Sequence, residues 1–113
     1  MIAATLAALL LGNQAAHAHA MLDHATPTVG STVAPAPKEV VLSFTSNLEP
    51  AFSSIDVKSA SGGAVQAGKA SVNGAQMRVG LKSLPPGTYT VNWKVLSVDT
   101  HRTQGNFTFR VGQ

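Results

Sequence analysis

From Lys38 onward, apolar residues recur at every second position. Val40, Leu42 and Phe44 share one face of a segment whose other face carries Val41, Ser43 and Thr45. Ile55 and Val57 make a shorter alternation after Phe52, and Met77, Val79 and Leu81 alternate with Gln76, Arg78 and Gly80. The longest run, Thr88 to Ser97, sets Tyr89, Val91, Trp93 and Val95 against Thr90, Asn92 and Lys94. Phe107, Phe109 and Val111 alternate with Asn106, Thr108 and Arg110. Successive side chains of an extended backbone point to opposite faces, so this period predicts half-buried strands. No stretch after residue 20 carries helical periodicity.

Turn formers separate the runs: Pro35-Ala36-Pro37, Ser61-Gly62-Gly63, Asn73-Gly74, Pro85-Pro86-Gly87 and Gly105. Pro27 to Pro37 reads as a connector. Short strands at close spacing predict an all-β fold, a small Greek-key β-sandwich or barrel, immunoglobulin-like or cupredoxin-like. Its core takes Tyr89, Trp93, Phe107 and Phe109. Tyr89 follows Leu84-Pro85-Pro86-Gly87-Thr88 and enters the longest strand. That placement predicts a tyrosine corner, with the hydroxyl bonded back across the turn.

The chain has 113 residues, enough for one domain. It has no cysteine, which excludes a disulfide scaffold, a thiolate nucleophile, a cysteine zinc site and a blue-copper site. The net charge of +3 is spread along the sequence with no basic block, so nucleic acid is not an expected partner.

Ile2 to Leu11 is a nearly continuous apolar run, too short for a bilayer span of about 20 residues. Gly12-Asn13-Gln14 interrupts it, and the small residues Ala15, Ala16 and Ala18 follow, although no Lys or Arg precedes the run. The order is that of a secretory signal. Residues 1–18 are therefore expected to be removed, leaving 19–113 as the mature domain with His19 at its start. Ala18-His19-Ala20 also satisfies the small-residue rule, and cleavage after Ala20 would remove that histidine.

Few residues are suited to chemistry. No Gly-rich phosphate loop and no G-x-S-x-G is present. As a new N-terminus, His19 offers a free amine and its own Nδ1, which together close a six-membered chelate ring on a metal. The amine's ordinary pKa of about 7.7–8.0 lets a strongly bound metal displace its proton near neutral pH. Asp99-Thr100-His101 lies where the longest strand ends; on an extended backbone, residues i and i+2 project together. Three nitrogens and one oxygen make the N,O set favoured by tetragonal Cu(II). His24 is a spare imidazole. Met21 and Met77 are too scattered to form a soft Cu(I) basin.

In these features the sequence resembles the CopC-like periplasmic copper-binding proteins. The resemblance rests on His19-Ala20-Met21-Leu22 with Ala25-Thr26-Pro27, on Val41-Leu42-Ser43-Phe44 with Asn47-Leu48-Glu49, and on Leu84-Pro85-Pro86-Gly87-Thr88-Tyr89-Thr90-Val91 with Trp93. Its most specific part is Val98-Asp99-Thr100-His101 leading to Gly105, Phe107-Thr108-Phe109 and Val111. It implies a non-enzymatic carrier or buffer of copper outside the cytoplasm, with one Cu(II) per chain held by His19, Asp99 and His101. Members of that family often work beside a CopD-type inner-membrane copper transporter, which is the expected partner here; the chain itself is expected to be a monomer. Two departures stand out. Ser46 occupies the place after the central strand where many members carry an acid, so water or Asp99 completes the coordination. The stretch from Ser59 to Gln76 has neither Met nor His, so no second, Cu(I) site is expected.

Two rival readings differ in class. A copper monooxygenase also uses an N-terminal histidine chelate, but it needs a substrate face, and the one Trp and one Tyr here are assigned inward. An immunoglobulin-like binding module without metal requires a different mature start and an ordinary loop at Asp99.

Overall fold

The computed structural model describes residues 20–113. Among them the strands are β1 (Leu22–Thr26), β2 (Thr32–Val33), β3 (Glu39–Phe44), β4 (Ser54–Ser59), β5 (Gln66–Asn73), β6 (Gln76–Leu81), β7 (Gly87–Leu96) and β8 (Arg102–Val111). A short 3₁₀ turn, Pro50–Phe52, precedes β4. The expected leader and His19 lie outside the described residues.

Two four-stranded sheets form, in the orders β1-β3-β6-β5 and β2-β8-β7-β4. This is the strand order of a constant-type immunoglobulin sandwich, with its first strand split between the sheets. β2 pairs parallel with β8, Thr32 opposite Arg110 and Val33 opposite Val111. The sequence expectation of a plain connector from Pro27 to Pro37 is therefore corrected: β2 lies within it. Two residues are too few for a period to register.

The inward faces are those the alternation marks. Val40, Leu42 and Phe44 of β3 and Met77 and Val79 of β6 meet Tyr89, Val91, Trp93 and Val95 of β7 and Phe107, Phe109 and Val111 of β8, all buried. Phe44 and Trp93 join the sheets edge to face, ring centroids 5.1 Å apart at 72°, a favoured aromatic geometry. Opposite Trp93 in the β7–β8 ladder stands Gly105. A Cβ there would lie 2.6 Å from Trp93 Cζ2, so the indole occupies the space a side chain would need. The tyrosine corner forms as expected: Tyr89 donates its hydroxyl to the Pro85 carbonyl at 2.5 Å and stacks on Phe109.

β5 gave no sequence signal. It is an exposed edge strand of small and polar residues, and its register with β6 shifts between Ala67 and Ser71. Its anchor is Gln66, whose side chain accepts the Val57 amide at 2.9 Å and donates to Asp56 Oδ1 at 2.6 Å. These bonds tie β5 to the edge of β4 in the other sheet and bring the sandwich towards a closed barrel.

Candidate metal centre

β7 and β8 pair from Gly87–Val111 to Leu96–Arg102, and residues 97–101 join them. Two backbone bonds shape this loop: Thr100 N donates to the Ser97 carbonyl, and Ser97 N to the His101 carbonyl, both at 2.9 Å. That is a tight turn closed by one residue in the left-handed region, a place glycine usually fills. Here it is Thr100, with φ +74°, and a β-branched side chain there is costly. The extended-backbone account of Asp99-Thr100-His101 is therefore corrected: the two side chains meet because the chain turns left-handed between them. The meeting itself is as expected, with His101 Nδ1 3.3 Å from Asp99 Oδ1.

The pair is half exposed, at 44% for His101 and 43% for Asp99, while the Nδ1 atom of His101 is buried. The Ser97 hydroxyl donates to Asp99 Oδ1. This bond is the main cause that holds the Asp99 carboxyl below its ordinary 3.8. The hydrogen bond and charge of His101 also lower it, while desolvation works the other way.

The loop is anchored to the β3–β4 connection between the sheets. Val98 N donates to the Asn47 carbonyl at 3.0 Å and Glu49 N to the Leu96 carbonyl at 2.8 Å, and Leu48 bridges to Ser97. The start of the described chain comes to the same place. Thr103 Oγ1 donates to the Ala20 carbonyl at 2.7 Å. Met21 N donates to Thr45 Oγ1, and Thr45 N returns a bond to the Met21 carbonyl, both at 2.9 Å. Ala20 is fully buried. The residue covalently joined to His19 is thus fixed between Thr45, next to Ser46, and Thr103, two positions past His101.

Of the expected site residues, Asp99 and His101 come together; His19 lies outside the described residues. His24 instead pairs with Asp23 at 3.2 Å, both well exposed. Among the described residues, no group of three or more His, Cys, Asp or Glu forms a metal cluster. Sequence reasoning missed Ser97, Thr103 and Thr45. A serine two places before an aspartate at a strand end is a recognisable turn signal. Thr103 and Thr45 carry no signal, because their partners lie far away in the chain.

Residues 22–112 match the CopC domain family. "Protein YobA" of Escherichia coli (strain K12) is 39% identical over 98 residues, covering 83% of this chain and 79% of that protein. "Copper resistance protein C" of Pseudomonas syringae pv. tomato is 37% identical over 114 residues, 93% of this chain and 90% of that one. Among solved structures, CopC from Methylosinus trichosporium OB3b superposes with a TM-score of 0.77 at 33% identity, covering 82% of this chain and 93% of that one.

Proposed function

The chain belongs to the CopC family of copper resistance proteins, and on that premise we propose that it is an extracytoplasmic copper carrier. It binds one Cu(II) through the amine and Nδ1 of a mature N-terminal His19, the Nδ1 of His101 and a carboxylate oxygen of Asp99. The carrying observation is the convergence of the Asp99–His101 pair with the anchored Ala20. Metal bonds to nitrogen and oxygen run about 2.0–2.2 Å on zinc, so neighbouring ligands stand roughly 3 Å apart. The 3.3 Å between His101 Nδ1 and Asp99 Oδ1 suits two such positions. One trans peptide spaces His19 about 3.8 Å from Ala20, and two residues of strand separate Thr103 from His101 by about 7 Å. These short spacings support a histidine chelate that closes on His101.

Copper is the cargo, and the protein works as a carrier rather than an enzyme. Two imidazoles and an amine favour Cu(II), and with Met77 fully buried in the core, no thioether basin for Cu(I) is expected. The domain acts as a monomer in the periplasm and exchanges copper with a CopD-type membrane transporter. Because each ligand must lose its proton, binding weakens as pH falls.

The test is a Cu(II) titration of the naturally exported protein followed by EPR, with the N-terminus read by mass spectrometry on the same sample. One tetragonal, nitrogen-rich Cu(II) on a chain starting at His19, lost in His101→Ala, is the expected result. A chain starting at Met21, or no stoichiometric signal, overturns the reading.

A further inference from the structure

Ser97 is the one polar side chain among the described residues that is fully buried, and it sits directly beneath the site. Its hydroxyl touches three groups of the ligand loop: the Asp99 carboxylate, the His101 amide at 3.3 Å and the His101 carbonyl at 3.2 Å. A serine hydroxyl has one proton to give and lone pairs to accept with. The ionised carboxylate is the stronger acceptor and receives the hydroxyl's hydrogen bond. The oxygen is then left to accept from His101 N–H. One buried atom thereby links the side chain of Asp99 to the backbone of His101. The backbone of Ser97 closes the same loop at both ends, through the His101 carbonyl and the Thr100 amide. Ser97 is itself held by the bridge to Leu48 in the β3–β4 connection.

We propose that Ser97 is a positioning residue for copper, fixing the Asp99 carboxylate and the loop backbone that carries the His101 imidazole before the ion arrives. The proposal rests on the copper site proposed above. Both side chains are close to half exposed and would otherwise sample several rotamers, each of which must be given up on binding. The buried hydroxyl pins the carboxylate and the loop backbone in advance, so less ordering remains to oppose binding. Groups that orient metal ligands in this way typically change metal affinity about 10–100-fold when removed.

The test compares Ser97→Ala with wild type, and the isosteric pair Ser97→Val and Ser97→Thr with each other, in the exported chain. Cu(II) affinity is measured by competition with a chelator, together with the EPR spectrum and the melting temperature of the metal-free protein. The expected result is Cu(II) binding about 10–100-fold weaker and altered EPR parameters in the alanine and valine variants, with both restored in the threonine variant. Val111→Ala, a buried residue at the far end of the β7–β8 ladder from the loop, serves as a destabilised control, and its melting temperature falls while the EPR spectrum stays that of wild type. Wild-type affinity and spectrum in the hydroxyl-free variants, with His101→Ala still abolishing binding, overturn the positioning role and leave the copper site standing. Hydroxyl-free chains that do not fold assign Ser97 to the fold and overturn it equally. If His101→Ala also binds like wild type, the site itself has failed.

Discussion

The Thr103 hydroxyl donates to the carbonyl of Ala20, 83 positions earlier in the chain, at 2.7 Å. Together with the bonds between Met21 and Thr45, it holds Ala20 beside the β7–β8 loop. Thr103→Val removes the donor at constant shape and leaves a carbonyl of a fully buried residue without it. The expected cost is about 1–3 kcal/mol of stability by urea unfolding. Cu(II) affinity falls as well, because the amine end is no longer held near His101. Unchanged affinity with a lowered urea midpoint would separate the anchor from the site.

Thr100 holds a left-handed conformation that costs a β-branched residue about 1–2 kcal/mol. Thr100→Gly relieves it but adds freedom to the unfolded chain, at about 0.5–1 kcal/mol. The metal-free protein is expected to gain up to about 1.5 kcal/mol in urea unfolding, the largest difference between those two costs. Thr100→Ala keeps the strain and should show no such gain. Equal stability of the two variants would place the strain elsewhere.

Acid should expose the role of Asp99. Its folded-state carboxyl titrates below the ordinary value of 3.8, chiefly because of the Ser97 hydroxyl and, further, of His101. A lowered folded value contributes stability that is fully present above the unfolded value and lost as pH falls through the folded one. The metal-free protein therefore loses part of its stability below about pH 4. In Asp99→Asn that part of the acid slope disappears, as measured by the difference between the two urea midpoints along a pH series. Parallel curves for the two proteins would mean that Asp99 is not held by these contacts.

Gly105 is required by Trp93. An added Cβ would sit 2.6 Å from Cζ2 and 3.0 Å from Cε2 of a rigid ring, and that ring is wedged against Phe44 of the other sheet. Gly105→Ala is expected to cost about 1–3 kcal/mol through overpacking. For a domain of this size each kcal/mol lowers the melting temperature by about 4–8 °C. A melting temperature like that of wild type would show that the indole has room to move.

Much of this protein was legible in one dimension. Period-two burial marks β3, β4, β6, β7 and β8 and their inward faces, because a strand with one buried face writes its pattern at neighbouring positions. The tyrosine corner was readable for the same reason, since Tyr89 and Pro85 are four residues apart. The meeting of Asp99 and His101 is legible from type and spacing, although a left-handed turn rather than extended backbone joins them. The left-handed position falls on Thr100, where composition gives no glycine to announce it. β2 was too short to show a period, and β5 too exposed.

What the sequence alone determined is the alternation that makes a two-sheet sandwich and the supply of nitrogen and oxygen donors near its two ends. Only the tertiary structure decided that Ala20 and Met21 reach the β7–β8 loop, that Thr103 and Thr45 hold them there, and that Ser97 underlies Asp99 and His101. The physical reason is range. Side-chain period and turn chemistry act over a few residues, whereas bonds such as that between Ala20 and Thr103 join positions that become neighbours only when both sheets have closed on a common core.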